Sequence, residues 1–315
     1  MSDTKHRHSL GWVGTGRMGY EMATRLLKAG CDLSVYNRTK SKAEPLRELG
    51  ARIVDSPADL ADRDIVFFMV SGPEDLKEVT IGPKGTLSRA DRAPRLLVDC
   101  SSVSAEASTV VRNAAAKRNT AMLSSPVSGN HKVIKAGRLS VVSSGPSAAF
   151  EMASPYLQLL GEGVSYVGAD EHARIVKICH NILLGVVAQS LAEITVLAEK
   201  GGVARSAFLD FINKSVMGST FTKYKTPALV NLDFTTTFTP KLLRKDLDLG
   251  LEAGRELDVP LPVTALVREI VQSVVGLGYD DCDFAVLLEH EAKLANLDLV
   301  SENVKVSDGL GAESR

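Results

Sequence analysis

The sequence predicts an α/β protein, with an N-terminal doubly wound parallel sheet and an all-α C-terminal domain joined by a long helix. Three observations predict it. An apolar, strand-like LGWV runs into the glycine-rich GTGRMG and then into the periodic EMATRLLKAG. Short β-rich runs then alternate with helical patterns to about residue 169, which is the pattern of strands and crossover helices in a parallel sheet. From Glu171 to about Lys200 one helical pattern opens a stretch that reads helical to about residue 300. The expected division is therefore 1–169, with 1–9 a flexible tail, then 170–300, then a second flexible tail over 301–315.

The first turn carries the most information. Gly14 permits a tight turn, Gly16 lets the backbone approach a pyrophosphate with no Cβ in the way, and Gly19 lets the helix lie close to the strand. With Arg17 and Met18 between them, these glycines are the candidate contacts of a dinucleotide in a Rossmann-type domain, its phosphate on the helix N-terminus. The next strand, residues 33–39, ends in Asn37, Arg38 and Thr39, where an NAD site carries an acid for the ribose 2′-hydroxyl. An acid there would repel a 2′-phosphate, whereas the Arg38 fork suits one, and Thr39 and Lys42 add a hydroxyl and a charge. NADP is the expected cofactor. NAD is the alternative if Arg38 is simply a solvated turn residue.

Further strands are expected at 51–54, 65–70, 96–101, 121–128, 139–145 and 164–168. The long pattern that follows spreads Ile175, Val176, Ile178, Ile182, Leu183, Val186, Val187, Leu191 and Ile194 around every face, so the helix needs apolar partners on all sides. A homodimer or homotetramer is expected to supply some of them. Beyond Lys200, breaks are expected at GG, KTP, FTP and VPLP.

Composition narrows the function classes. At 315 residues, 44% hydrophobic and 24% charged, the chain has the composition of a soluble globular protein of two domains. A net charge of −1 provides no field for nucleic acid or an anionic membrane, so the partner expected is a small molecule held by local charges. Cys31, Cys100, Cys179 and Cys282 form no CxxC pair and no metal cluster, which suits free thiols in a reducing compartment. The first nine residues lack the apolar core of a secretory signal, IVFFMV is too short to span a bilayer, and His6 and His8 read as solvated. A cytoplasmic protein is expected.

Two stretches carry candidate chemistry. Lys177 and Asn181 share a face of the long helix among Ile, Val, Cys and Leu. An ammonium there is costly unless it faces a cavity or a partner, and partial burial would bring its pKa toward neutrality, where it can exchange protons. A lysine snorkelling to the surface fits the periodicity equally well. His180 reads as a packing histidine. In SSPVSGNHKVIKAGRLS, Pro126 and Gly129 shape a turn that puts Ser128 and Asn130 at a strand's carboxyl end, where open α/β sheets bind ligands; good turn chemistry explains the same residues.

Taken together, GWVGTGRMGYEMATRLLKAG with VYNRT, DCSS, PVSG with AGRLS, Lys177 with Asn181, and KDLDLGLEAG at 245–254 resemble the β-hydroxyacid dehydrogenases, the group of 3-hydroxyisobutyrate dehydrogenase and tartronate semialdehyde reductase. The resemblance runs from about Leu10 to about Ala292. It implies NAD(P)-dependent oxidation of a hydroxyl on a small carboxylate, or the reverse, by a dimer or tetramer. It further implies that Lys177 is the general acid/base, that Asn181 orients the substrate, and that Ser128 and Gly129 grip its carboxylate. Lys245, accompanied by Asp246, would lie by the cofactor and active site, and Met69, Val70 and Ser102 would touch the cofactor. The chain departs from the family at Asn130 and Lys132, where glycines are usual, at His172, where glycine is common, and at Phe221, often Trp. Asn130, Lys132 and Phe221 are thus candidate substrate contacts. Imine reductases share the architecture, but Lys177 stands where they generally carry Asp or Tyr; 6-phosphogluconate dehydrogenases need a longer helical region. A non-catalytic NADP-binding module is a further alternative that the fold alone would allow.

Overall fold

The computed structural model describes residues 7–311. The first compact unit ends at Lys177 and the second begins at Ile178, so the boundary falls inside one helix.

In the first unit the chain runs β1 (Leu10–Val13), α1 (Arg17–Lys28), β2 (Leu33–Tyr36), β3 (Arg52–Ile53), β4 (Ile65–Phe68), α2 (Pro73–Ile81), β5 (Leu96–Asp99), α3 (Ala105–Ala116) and β6 (Ala121–Ser124). These strands form a six-stranded sheet in the order β3-β2-β1-β4-β5-β6, with every pairing parallel. Strands β1, β4 and β5 are buried at every position, as expected of a parallel sheet covered on both faces. On one face Trp12 stacks on Phe67 with ring centroids 5.7 Å apart, under Met22 and Leu26 of α1. On the other, Val13, Val66, Phe68 and Leu97 pack with Val111 of α3.

The last runs expected in this sheet leave it. The chain continues through β7 (Val127–Ser128), α4 (His131–Lys135), β8 (Ser140–Ser143), α5 (Ser147–Leu160) and β9 (Gly163–Tyr166). Strands β7, β8 and β9 make a separate three-stranded sheet in which β7 is antiparallel to β8. The cause is local. Pro126 interrupts the 121–128 run, Gly129 turns the chain at φ +136°, and the link from β7 to β8 is shorter than the dozen or more residues of a parallel crossover.

Helix α6 (His172–Lys200) spans the unit boundary. In the second unit it is followed by α7 (Arg205–Lys214), α8 (Thr220–Asn231), α9 (Pro240–Glu256), α10 (Pro262–Gly276) and α11 (Leu287–Leu294). Their core joins Leu191, Leu209, Leu229, Leu247, Val271 and Leu288. Three of the expected breaks bound helices, but KTP does not: Pro227 sits inside α8, where burial of Leu229 and Val230 just beyond carries the helix past it.

Helix α6 is not buried all round. Its packed side includes Asn181, Gln189, Thr195 and Val196, while Val176, Leu183 (61% exposed), Ile194 and Leu197 (73% exposed) lie open. The helix is long and apolar enough by composition to cross a membrane; the polar groups on its buried side are those of a helix packed within protein.

Where they are described, both expected tails make hydrogen bonds to the rest of their unit. His8 donates its backbone N–H to the Tyr156 hydroxyl at 2.9 Å, and Ser9 donates its own to Asp64 at 2.9 Å. Residues 301–311 have no regular structure, yet they are tied down. Asn231 and Val304 exchange two hydrogen bonds at 2.9 and 3.1 Å, Ser206 donates to Glu302 at 3.2 Å, and Leu310 is buried. Both segments lack periodicity because side chains and backbone groups far away in sequence hold them. His6 and residues 312–315 lie outside the described residues.

Candidate active site

The glycine turn separates its three glycines by physical role. A Cβ on Gly14 (φ +97°) would stand 2.2 Å from the Met69 carbonyl oxygen, and one on Gly19 would stand 2.1 Å from that of Gly14. Both positions therefore serve the fold. Gly16 has an ordinary φ of −66° and no neighbour within 4 Å of the place a Cβ would take. Nothing among the described residues demands glycine there. Gly16 also heads α1, which has no side-chain cap and no acid in its first turn, so its free N–H groups and dipole face outward. Beside it the Thr15 hydroxyl is buried with no hydrogen-bond partner among the described residues. An open cradle, an uncapped helix start and an orphaned hydroxyl fit a dinucleotide phosphate. Arg17 is exposed beside the cradle, while Met18 packs into the sheet core.

Asn37 has a structural task that its sequence position does not reveal. Its Oδ1 accepts from Thr15 N–H at 2.8 Å and its Nδ2 donates to the Thr39 carbonyl at 2.8 Å, joining the glycine turn to the end of β2. The Arg38 side chain is 83% exposed and donates one N–H to Asp75 at 2.9 Å; Thr39 is exposed as well. Met69 and Val70 leave β4 half-buried, Val70 N–H donating to Ser101 Oγ at 2.9 Å, and Ser102 is exposed just past β5. All of these candidates stand at carboxyl ends of parallel strands, where such sheets bind ligands.

Ser128 is half-buried and Gly129 is exposed. Asn130 caps α4: its Oδ1 accepts from the backbone N–H groups of Lys132 at 3.0 Å and Val133 at 3.1 Å, so Nδ2 is the part of the amide left to meet a ligand. Lys132 is exposed.

On α6, Lys177 is half-buried and Asn181 is buried one turn later. Asn181 Nδ2 donates to Asp246 Oδ2 at 2.7 Å. A carboxylate accepts only, so this bond sets which way the amide faces, and Oδ1 then lies 3.0 Å from His180 Nδ1. His180, read as packing, is instead exposed beside that amide. Asp246 is buried, with the half-exposed Lys245 ammonium 3.7 Å from its carboxylate. Phe221 packs with aromatic neighbours, stacked on Phe284 at 6.1 Å and edge-on to Tyr224 at 5.5 Å.

Two buried ionic groups escape sequence reasoning, because their members lie far apart in the chain. In the first unit, Arg174 bonds Asp99 at 2.8 Å and Glu171 at 2.6 Å, and Glu171 bonds Arg112 at 2.6 Å. Burial works to raise the Glu171 pKa, but the charges of Arg174 and Arg112 outweigh it and hold the carboxyl below its usual range. In the second, Lys225 pairs with Asp283 at 2.5 Å and lies 4.1 Å over the Phe284 ring. Asp283 also accepts from Thr237 and Ala285. Burial again pushes upward, but Lys225 and these bonds leave the Asp283 carboxyl below its usual range. The cysteines are free; burial raises the Cys31 thiol to about 11 and Cys100 further.

Comparison with known proteins bears on the family. Residues 9–168 match the NAD binding domain of 6-phosphogluconate dehydrogenase, and residues 172–290 match the NAD-binding family of NADP-dependent 3-hydroxyisobutyrate dehydrogenase. Glyoxylate/succinic semialdehyde reductase 2 of Arabidopsis thaliana is 30% identical over 89% of this chain and 78% of its own length. The 2-(hydroxymethyl)glutarate dehydrogenase of Eubacterium barkeri is 34% identical over 86% of this chain and 91% of its own. Among solved structures, a 3-hydroxyisobutyrate dehydrogenase from Salmonella typhimurium superposes with a TM-score of 0.79 at 24% identity, covering 90% of this chain and 99% of that one, a likeness of fold. By its glycine turn, its ordered motifs and these matches, the chain belongs to the β-hydroxyacid dehydrogenase family of NAD(P)-dependent oxidoreductases acting on CH–OH donors.

Proposed function

We propose that the protein transfers hydride between NADP(H) and the hydroxyl or carbonyl carbon of a small β-hydroxy acid or semialdehyde, with Lys177 as general acid/base. The observation that carries the reading is the α6 turn on which half-buried Lys177 precedes Asn181, itself held by Asp246 at 2.7 Å. The nicotinamide, when bound, supplies the hydride chemistry. Lys177 gives a proton to the substrate carbonyl oxygen in reduction and takes it back from the hydroxyl in oxidation, offsetting the charge that develops on that oxygen. Asn181, its amide direction set by Asp246, orients the same oxygen. Ser128 and the backbone at Gly129 hold the carboxylate, and Asn130 Nδ2 faces what lies beyond it. Gly16, on the turn that Gly14 and Gly19 shape, serves the cofactor with Met69, Val70, Ser102 and Lys245, and Arg38 with Thr39 receives the 2′-phosphate.

The relatives' own substrates are small carboxylates, which supports that substrate class here. The open apolar side of α6 supports a homodimer or homotetramer, and the free cysteines fit the reducing cytoplasm. The test is NADPH oxidation with glyoxylate and succinic semialdehyde, and NADP reduction with 3-hydroxyisobutyrate and 2-(hydroxymethyl)glutarate. Lys177→Ala should lower kcat ~10²–10⁴-fold with cofactor affinity nearly intact, and near-normal turnover would make Lys177 structural.

A further inference from the structure

We propose that Asp99 and Arg174 are positioning residues, which hold the first turns of α6, and thereby Lys177, in fixed register with the β4 and β5 loops that carry Val70 and Ser102. The inference rests on the reading of Lys177 as the acid/base.

The bonds form one continuous path. Val70 N–H donates to Ser101 Oγ at 2.9 Å, and Ser101 N–H donates to Asp99 Oδ1 at 3.0 Å. The other oxygen of Asp99 accepts from Arg174 Nη2 at 2.8 Å. Arg174 Nη1 donates to the Val103 carbonyl at 3.2 Å, and Nε donates to Glu171 at 2.6 Å. Asp99 therefore holds the residue before Ser102 and Arg174 the residue after it. Arg174 lies three residues before Lys177 in the same helix, so any shift of its fork moves the lysine with it.

Stability alone is a poor reason for this arrangement. Asp99 is fully buried, and the Arg174 side chain is 7% exposed. Charges taken out of water regain by pairing roughly what they lose, and a well-packed apolar contact would anchor the helix at least as well. The ions add direction. A planar fork whose three nitrogens each meet a different oxygen admits one placement of the helix relative to the loops. Glu171 fixes the fork from the other side, accepting from Arg112, Ser108 Oγ at 2.9 Å and Ser124 Oγ at 2.8 Å. The two guanidinium groups and two carboxylates cancel, so the cluster holds Lys177 in place without setting a net charge beside it.

The test uses the full-length protein with NADPH and whichever of glyoxylate and succinic semialdehyde turns over faster. Arg174→Lys keeps the charge and loses the fork. Asp99→Asn is nearly isosteric; its Oδ1 can keep the Ser101 bond while its Nδ2 meets the Arg174 donors. Each should lower kcat ~10–100-fold, since a misplacement near 1 Å costs that much, with the KM for NADPH, which Val70 and Ser102 also serve, raised by a smaller factor. Amide exchange in the cofactor-free protein should quicken at Val70 and Ser101, whose N–H groups lie on the path. Combined with Lys177→Ala, Arg174→Lys should cost little more than Lys177→Ala alone, because both act through one group. Should Arg174→Lys fail to fold, Asp99→Asn decides by the same measures. The proposal is overturned if the folded variants keep kcat within twofold while only Tm falls, or if the double variant loses activity multiplicatively. Near-normal turnover of Lys177→Ala would remove the acid/base reading and the positioning role together, whereas a dead Lys177→Ala beside an active Arg174→Lys would remove the positioning role alone.

Discussion

Arg38 stands past the end of β2 with its guanidinium in solvent and a single N–H on Asp75. An exposed pair of this kind is worth about 0–1 kcal/mol, so a 2′-phosphate that takes the fork with two bonds displaces Asp75 at little cost. NADP should therefore exceed NAD in kcat/KM, and Arg38→Asp should reverse the order; a parent protein that already prefers NAD would show that this strand end is misread. At this scale the sequence was legible wherever one residue type serves one purpose. Gly14 and Gly19 were readable because the turn itself needs them, Gly14 for its positive φ and Gly19 for the nearby Gly14 carbonyl. Asn37 was readable only as the lack of an acid, since its bond to Thr15 N–H depends on how two strand ends meet. Arg174 and Asp99 carry no local signal, because their partners are brought in by the sheet.

At the scale of elements, periodicity located β1, α1, β2 and α6, and it failed where tertiary contacts decide. The run at 121–128 read as one strand but splits at Pro126 into strands of two sheets. Residues 301–311 read as loose because their order comes from Asn231, Ser206 and the α8 backbone rather than from any pattern of their own. Helix α4 gives this scale its prediction. Asn130 caps it and Lys132 lies exposed on its first turn. Asn130→Gly should therefore cost stability only a few tenths of a kcal/mol, as glycine is a tolerable N-cap. Combined with Lys132→Gly, it should shift kcat/KM toward smaller, less polar hydroxy acids, because the Asn130 Nδ2 donor and the Lys132 charge no longer favour polar ones. Unchanged ratios across a panel of acids would show that this loop does not select the substrate.

For the whole molecule, the open side of α6 and the buried Lys225–Asp283 pair each set a measurable property. Leu183, Ile194 and Leu197 recur at helical spacing on the open side, an apolar stripe that a second copy would cover. Light scattering at micromolar concentration should report a dimer or tetramer, and Leu183→Glu with Leu197→Glu should reduce it to a monomer; a monomeric parent would refute this. The Asp283 and Glu171 carboxyls both lie below their usual range in the folded protein. Their stabilisation is thus complete above the unfolded pKa of about 4 and is lost as pH falls through the depressed folded values, so Tm should hold from neutrality to about pH 5 and drop steeply below about pH 4. Asp283→Asn, which leaves the Lys225 ammonium buried without its counter-charge, should cost about 3–5 kcal/mol at neutral pH, read by urea denaturation. The glycine turn bears on how such a chain would age. Folding alone would preserve Gly14 and Gly19, against which a methyl group collides with backbone, whereas only an occupant of the cradle protects Gly16. A descendant that abandoned its dinucleotide would keep its first and third glycines and let the second drift, so the middle glycine by itself distinguishes a working lineage from a relic.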